Sequence, residues 1–228
     1  KTEIFKKCLT KIDDFFDPHN EICILFHGGE PLLLEANFYK EAFGFLKGLR
    51  HKYHTGVQTN LTLLNDDFIQ LFQENNCVIG TSIDGNKLSH DFYRKGRDGK
   101  GSYETVSEKL KILQKGGIRF GIISVINDYN VQHPEEFYLF LKEYPDISFT
   151  FLPMFLVKSN DICAVNPQTF GAFLLKLYDS WVADKQPPDI TLFKEVIDSL
   201  INRNYNPMCK FQPNCSQVFF TINLDGSV

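Results

Sequence analysis

An α/β fold built on a parallel sheet or barrel is predicted by three observations. Short apolar runs of strand length alternate with longer amphipathic segments along most of the chain, the pattern of repeated βα units. The first clear run, residues 22–26, stops abruptly at Gly28-Gly29-Glu30-Pro31, two residues without a β-carbon followed by a carboxylate and a rigid ring. Later runs also end in polar side chains, at Gln58-Thr59-Asn60 and at Ser82-Ile83-Asp84. The carboxyl ends of strands are where α/β folds hold their ligands.

In order, residues 1–16 read as a helix, with Ile4, Phe5, Cys8, Leu9, Ile12 and Phe15 at helical spacing before Asp17-Pro18. Residues 22–26 (Ile-Cys-Ile-Leu-Phe) are continuously apolar, as in a parallel strand covered on both faces. A helix over 37–52 and a strand over 54–59 follow, then a helix over 66–75 for which Asn65 is a good N-cap. Strands are predicted at 77–84, 118–126 and 147–153, making five in all, with helices at 102–115 and 134–144 between them. Gly116-Gly117 stops the first of these helices, and Pro134 opens the second. Residues 167–184 form a longer amphipathic helix whose Trp181 reads as core packing, and 192–202 form another. No repeat of fixed period accompanies the alternation.

The chain has 228 residues, 43% of them hydrophobic, enough for one sizeable core with an appended piece. A net charge of -4 and scattered basic residues give no reason to expect nucleic acid as the main partner. A membrane partner is equally unsupported, because no apolar stretch approaches the roughly 18 residues of a spanning helix. Of six cysteines, Cys8, Cys23, Cys77 and Cys163 are isolated, which reads as reduced thiols of a cytoplasmic protein.

Glu30, fixed between a flexible pair and a proline, is a natural acceptor for an ammonium group, while a tight turn with a solvated glutamate is the plainer alternative. Ser82 and Asp84 stand two apart and so face the same side of a regular strand, with Gly80 beside them. Arg94, in His90-Asp91-Phe92-Tyr93-Arg94, can grip a carboxylate with two parallel hydrogen bonds or form a helical ion pair with Asp91. Both readings stay open on the residues alone.

The order of these pieces, HGGEPLL, then QTN, then TSIDG with HDFYR behind it, then GIISVIND and FLP, resembles the radical S-adenosylmethionine enzymes. Within them it is similar to the peptide-modifying branch with a C-terminal SPASM domain, which includes anaerobic sulfatase-maturating enzymes and maturases of ribosomal peptides. The resemblance covers nearly the whole chain, and GGEP followed by SIDG and HDxxR is its specific part. It implies a partial (β/α)6 TIM-like barrel over residues 1–165, a helical connection over 166–204 and the start of a SPASM domain over 205–228. It implies that Glu30 and the backbone of Gly28 and Gly29 hold the methionine ammonium of S-adenosylmethionine. Ser82 and Arg94 would take the carboxylate and ribose region, Asn60 and Asp84 would line the same mouth, and Val125 and Leu152 would pack on the adenine.

The family's CxxxCxxC loop, which holds the 4Fe-4S cluster that reduces S-adenosylmethionine, is absent from the chain and is expected upstream of Lys1. Cys8 and Cys23 cannot replace it, one on a helix and the other in a strand. Both termini read as cut, and the given polypeptide alone is expected to be inactive. Cys209 and Cys215, separated by five residues in a proline-flanked loop, match the first two SPASM cysteines and are implied ligands of an auxiliary 4Fe-4S cluster. The complete enzyme would make a 5'-deoxyadenosyl radical that abstracts hydrogen from a peptide or protein substrate. Formylglycine formation or cross-linking would follow, with an electron donor such as flavodoxin or ferredoxin. A non-catalytic peptide-binding scaffold on a degenerate barrel is the alternative; an unrelated barrel enzyme using Glu30 and Asp84 as acid and base is a weaker one.

Overall fold

The structure, a computed structural model, describes residues 2–17, 19–154, 164–202, 220–223 and 225–227. Their contacts divide into two compact units, the first containing Lys1–Thr59, Leu63–Val78 and Asn202–Val228, the second Asn60–Thr62 and Ile79–Ile201. Cys163, Cys209 and Cys215 lie outside the described residues.

The first unit is built on α1 (Thr2–Phe15), β1 (Glu21–Phe26), α2 (Ala36–Leu46), β2 (Lys52–Thr59) and α3 (Asp66–Glu74). β1 and β2 are parallel, with Ile22 opposite Tyr53 and Phe26 opposite Val57. Asn65 caps α3 as its position predicts, its side chain accepting from Phe68 N. α2 is shorter than the predicted 37–52 helix, because a turn around Gly48 ends it and returns the chain to β2. Burial alternates along β1, with Cys23 exposed and Leu25 49% exposed. The expectation of a strand covered on both faces is therefore corrected: within this unit helices cover only the face carrying Ile22, Ile24 and Phe26. On that face Phe26 meets Phe5, Phe38, Tyr39 and Phe43. Tyr39, fully buried, passes the contact on to Phe68 and Phe72. The edge-on geometry of most of these pairs matches positive ring rims to negative faces.

A polar knot joins α1 to the loop before β2. Asp13, 4% exposed, accepts from the backbone N–H of Arg50 and His51, from Tyr53 OH at 3.0 Å and from His51 Nδ1 at 2.7 Å. His51 Nε2 lies 2.9 Å from the Asp17 carbonyl, which can only accept, so both ring nitrogens carry protons and the imidazole is cationic. The pKa shifts agree with that charge state. Burial pushes the Asp13 carboxyl up, but hydrogen bonds from His51, Arg50 and Tyr53 outweigh it and hold the group well below the usual range. His51 is raised by its hydrogen bond to Asp13.

The second unit contains α4 (Lys87–Tyr93), α5 (Tyr103–Lys115), β4 (Phe120–Ile126), α6 (Pro134–Leu141), β5 (Ser148–Pro153), α7 (Pro167–Ala183) and α8 (Thr191–Ile201), with most of β3 (Val78–Ser82). The strands are parallel in the order β3-β4-β5, with Ser82 opposite Ile123 and Val125 opposite Leu152. One face is buried: Ile79, Thr81, Ile122, Ser124, Ile126, Phe149 and Phe151 are each at most 3% exposed. Phe137 of α6 packs against Phe151 and against Phe173 of α7. The other face, carrying Ser82, Ile123, Val125, Thr150 and Leu152, is half-buried or exposed. Beyond β5, Ile190 makes one parallel bridge to Phe149. Trp181 stacks on Tyr178 and donates from Nε1 to Pro188 O at 2.9 Å, which docks the turn before α8.

Candidate functional site

The glycine-rich turn after β1 belongs to the first unit. Gly28 and Gly29 have φ of 92° and 53°, a region that costs any residue with a β-carbon. A β-carbon at either position would find nothing within 4 Å, so the turn's outer side is open rather than filled by protein. Glu30 caps the 3₁₀ turn Pro31–Leu33: its Oε1 accepts from Leu32 N at 3.0 Å and from Thr59 Oγ1 at 2.7 Å. Tyr39 OH donates to Pro31 O at 2.8 Å, which fixes the turn from beneath. A carboxylate held in this way keeps one orientation, and that is what recognition of an ammonium requires. Thr59, the middle residue of the polar strand end, was not among the predicted site residues; its position at the end of β2 was the available signal.

The remaining predicted residues lie in the second unit. β3 ends at Ser82, two residues short of Asp84, so strand alternation does not extend to the carboxylate. Asp84 is 3% exposed and is the hub of the region. Its carboxylate accepts from Arg94 Nε at 2.5 Å, from Arg94 Nη2 at 3.1 Å and from Val125 N at 2.8 Å. The ion pair therefore joins Arg94 to Asp84, not to Asp91. Asp91 instead accepts from Tyr103 N at 2.9 Å, at the start of α5, and lies 3.4 Å from Lys87 Nζ. A guanidinium has five N–H donors, and two go to Asp84. The others have no protein acceptor among the described residues, and the side chain is 28% exposed. Arg94 is thus a donor already oriented by a buried carboxylate.

Val125 and Leu152 are register partners on the half-open face, and Leu152 is 38% exposed, so they form an apolar pair beside Asp84's bond to Val125 N. Asn60 sits in a local turn, where its Oδ1 accepts from Thr62 N and Thr62 Oγ1. Leu61, next to it, is fully buried with φ of 62°, a left-handed conformation that is strained for a branched residue. Ser82 is half-buried at the end of β3. Three supporting residues have no role in the sequence reading, although His90 stands within the HDFYR motif. They are His90, fully buried; Ser102; and Asn130, whose Nδ2 donates to Val125 O at 2.8 Å and to Asp84 O at 3.3 Å.

Among the described residues no group of three or more His, Cys, Asp or Glu side chains could hold a metal ion. Those residues therefore do not provide a 4Fe-4S site. Taken unit by unit, they offer groups of the kinds that bind an adenosylated amino acid: in the first unit an oriented carboxylate on an open glycine turn, and in the second an oriented guanidinium and an apolar pair at adjacent strand ends.

That donor set on parallel strand ends agrees with a match over residues 5–141, more than half the chain, to the Radical SAM superfamily. The chain belongs to this superfamily. It is 32% identical over 229 aligned residues to a cysteine-type anaerobic sulfatase-maturating enzyme of Clostridium novyi, covering 94% of the chain and 59% of that protein. It is 34% identical over 199 residues to a serine-type anaerobic sulfatase-maturating enzyme of Bacteroides thetaiotaomicron, covering 76% of the chain and 47% of that protein. The chain thus spans about half the length of these relatives. In fold it is similar to the solved structure of native anSMEcpe with bound AdoMet and Kp18Cys peptide, with a TM-score of 0.81, 22% identity and coverage of 92% of this chain and 60% of that one. The expected α/β class with a partial TIM-like core is confirmed by that likeness, and its radical SAM character by the superfamily match.

Proposed function

We propose that the protein to which this chain belongs is a radical S-adenosylmethionine enzyme that oxidises a cysteine or serine side chain of a polypeptide to formylglycine. The reading is supported by two oriented charges, one in each unit: Glu30 held by Thr59 and Leu32, and Arg94 held by Asp84. Formylglycine formation is preferred to cross-linking because both relatives described above are sulfatase-maturating enzymes.

When bound, S-adenosylmethionine with a reduced 4Fe-4S cluster supplies the radical that removes a hydrogen atom from the substrate. The work of this chain is binding and orientation. Glu30 accepts from the methionine ammonium while the Gly28-Gly29 backbone approaches it closely. Arg94 donates to the carboxylate, with Ser82 and Asn60 beside the ribose region. Asp84 holds Arg94 in place and neutralises its charge, so recognition depends on hydrogen-bond geometry more than on net attraction. Val125 and Leu152 cover one face of the adenine and shed water from it. Flavodoxin or ferredoxin is the proposed electron donor. Cys209 and Cys215 are proposed as ligands of an auxiliary 4Fe-4S cluster, on the resemblance of their spacing to the first two SPASM cysteines.

The experiment is anaerobic turnover of the full-length, cluster-loaded protein with peptides carrying cysteine or serine. The reading predicts 5'-deoxyadenosine together with an aldehyde on at least one peptide, trapped by a hydrazide. Release of 5'-deoxyadenosine with no peptide aldehyde in either case would contradict it.

A further inference from the structure

The HDFYR segment contains a fully buried imidazole that the proposed reaction does not use. His90 Nδ1 is 3.3 Å from Asp84 N, which can only donate, so Nδ1 is the unprotonated nitrogen. The proton then sits on Nε2, which donates to Ser102 Oγ at 2.9 Å. Ser102 Oγ passes its own proton on to Arg94 O at 3.2 Å, and Ser102 N donates to the same carbonyl at 3.1 Å. Arg94 N donates back to His90 O at 3.0 Å. The ring therefore spans the backbone of both members of the Asp84–Arg94 ion pair from behind, with a single tautomer satisfying every partner. Burial lowers the His90 pKa to about 4, so the neutral ring that the geometry needs is the form present at neutral pH.

We propose that His90, through Ser102, is a positioning residue for the Arg94 guanidinium: the relay Asp84 N–H to His90 to Ser102 to Arg94 O fixes both ends of the ion pair, so that Arg94's remaining donors meet a ligand carboxylate in one direction. The proposal rests on the assignment of Arg94 to that carboxylate. It explains why histidine, rather than a merely apolar residue, stands four residues before Arg94. The site needs an acceptor toward Asp84 N and a donor toward Ser102 Oγ, and the neutral imidazole supplies one on each edge of its ring. Ser102 offers a clean point of attack. It stands at the N-cap position of α5 but makes no side-chain capping bond, so its hydroxyl is not needed to begin the helix.

The test compares Ser102→Ala with Ser102→Thr, which keeps the hydroxyl. In the full-length protein, nitrogen NMR of the His90 ring should show Nε2 protonated and Nδ1 bare. The Arg94 Nε–H signal should exchange slowly with solvent, exchange faster in Ser102→Ala and return in Ser102→Thr. In the full-length, cluster-loaded protein, Ser102→Ala should weaken S-adenosylmethionine binding about fivefold, the effect of losing one neutral hydrogen bond that orders the site. Binding of methylthioadenosine, which lacks the amino-acid carboxylate, should not change. A ring protonated on Nδ1, an Arg94 signal indifferent to the serine, or equal weakening of both ligands would overturn the proposal. Wild-type protein that binds no S-adenosylmethionine would overturn the proposed function instead, and the Arg94 signal alone would then decide the role of His90.

Discussion

At the scale of single residues, a position was readable from the sequence when its chemistry was local. Gly28 and Gly29 announce a turn, and the turn is there with positive φ at both. Glu30 was readable as a fixed acceptor because Pro31 follows it, but the threonine that fixes it is 29 residues away and could not be read. Asp84 and Arg94 were each legible as polar strand-end residues. Their pairing was not, since helical spacing offered Asp91 as an equally open partner and only the chain's turn through Gly85 and α4 brings Arg94 back to Asp84. The buried supports were the least legible: Tyr39 sits among aromatic rings that hide its one polar contact, and the partners of His90 lie 6 and 12 residues away in the chain. Tyr39 anchors the glycine turn through one neutral hydrogen bond to Pro31 O. Tyr39→Phe should therefore cost about 1 kcal/mol, measured by urea unfolding, and should loosen the turn, seen as faster exchange at Leu33 and Leu34. A variant as stable as wild type would mean the hydroxyl anchors nothing.

Elements were legible in number and type but not at their edges. Each of the five predicted strands is present, and Asn65 and Pro134 begin helices where their chemistry says they should. α4 went unread as a helix because its seven residues offer too little periodicity to register. Its joint to α5 is the more instructive case. Asp91 accepts from Tyr103 N, and a β-carbon on Gly101 would lie only 2.0 Å from the Asp91 side chain. Gly101→Ala must therefore displace that carboxylate and remove the bond at the start of α5, a loss of about 1 kcal/mol, comparable to losing a helix cap. Hydrogen exchange at Tyr103 and Glu104 would rise while the far end of α5 stays protected. Unchanged protection at the helix start would show that Asp91 is not its anchor.

Across the molecule, two buried histidines give the two units opposite responses to pH. In the second unit the folded pKa of His90 is lowered to about 4 against roughly 6.5 unfolded. As pH falls from about 6.5 to 4 the unfolded state binds a proton that the folded state does not, and stability is lost, by about 3 kcal/mol at most. In the first unit the folded pKa of His51 is raised. Its contribution is complete below about pH 6.5 and is lost as pH rises through the folded value. Asp13, with its pKa lowered, contributes above about pH 3.9 and loses that contribution as pH falls through its folded value. Hydrogen exchange from pH 5 to 8 should show amides around His90 gaining protection with rising pH and those around His51 losing it. A parallel trend in both would contradict these charge states. The central claim, that the strand ends hold S-adenosylmethionine through Glu30 and Arg94, is tested most directly by titration calorimetry of the full-length, cluster-loaded protein. Glu30→Ala and Arg94→Ala should each weaken S-adenosylmethionine binding by about 1.5–3 kcal/mol, the range for hydrogen bonds to charged groups, whereas unchanged affinity in both variants would contradict the account.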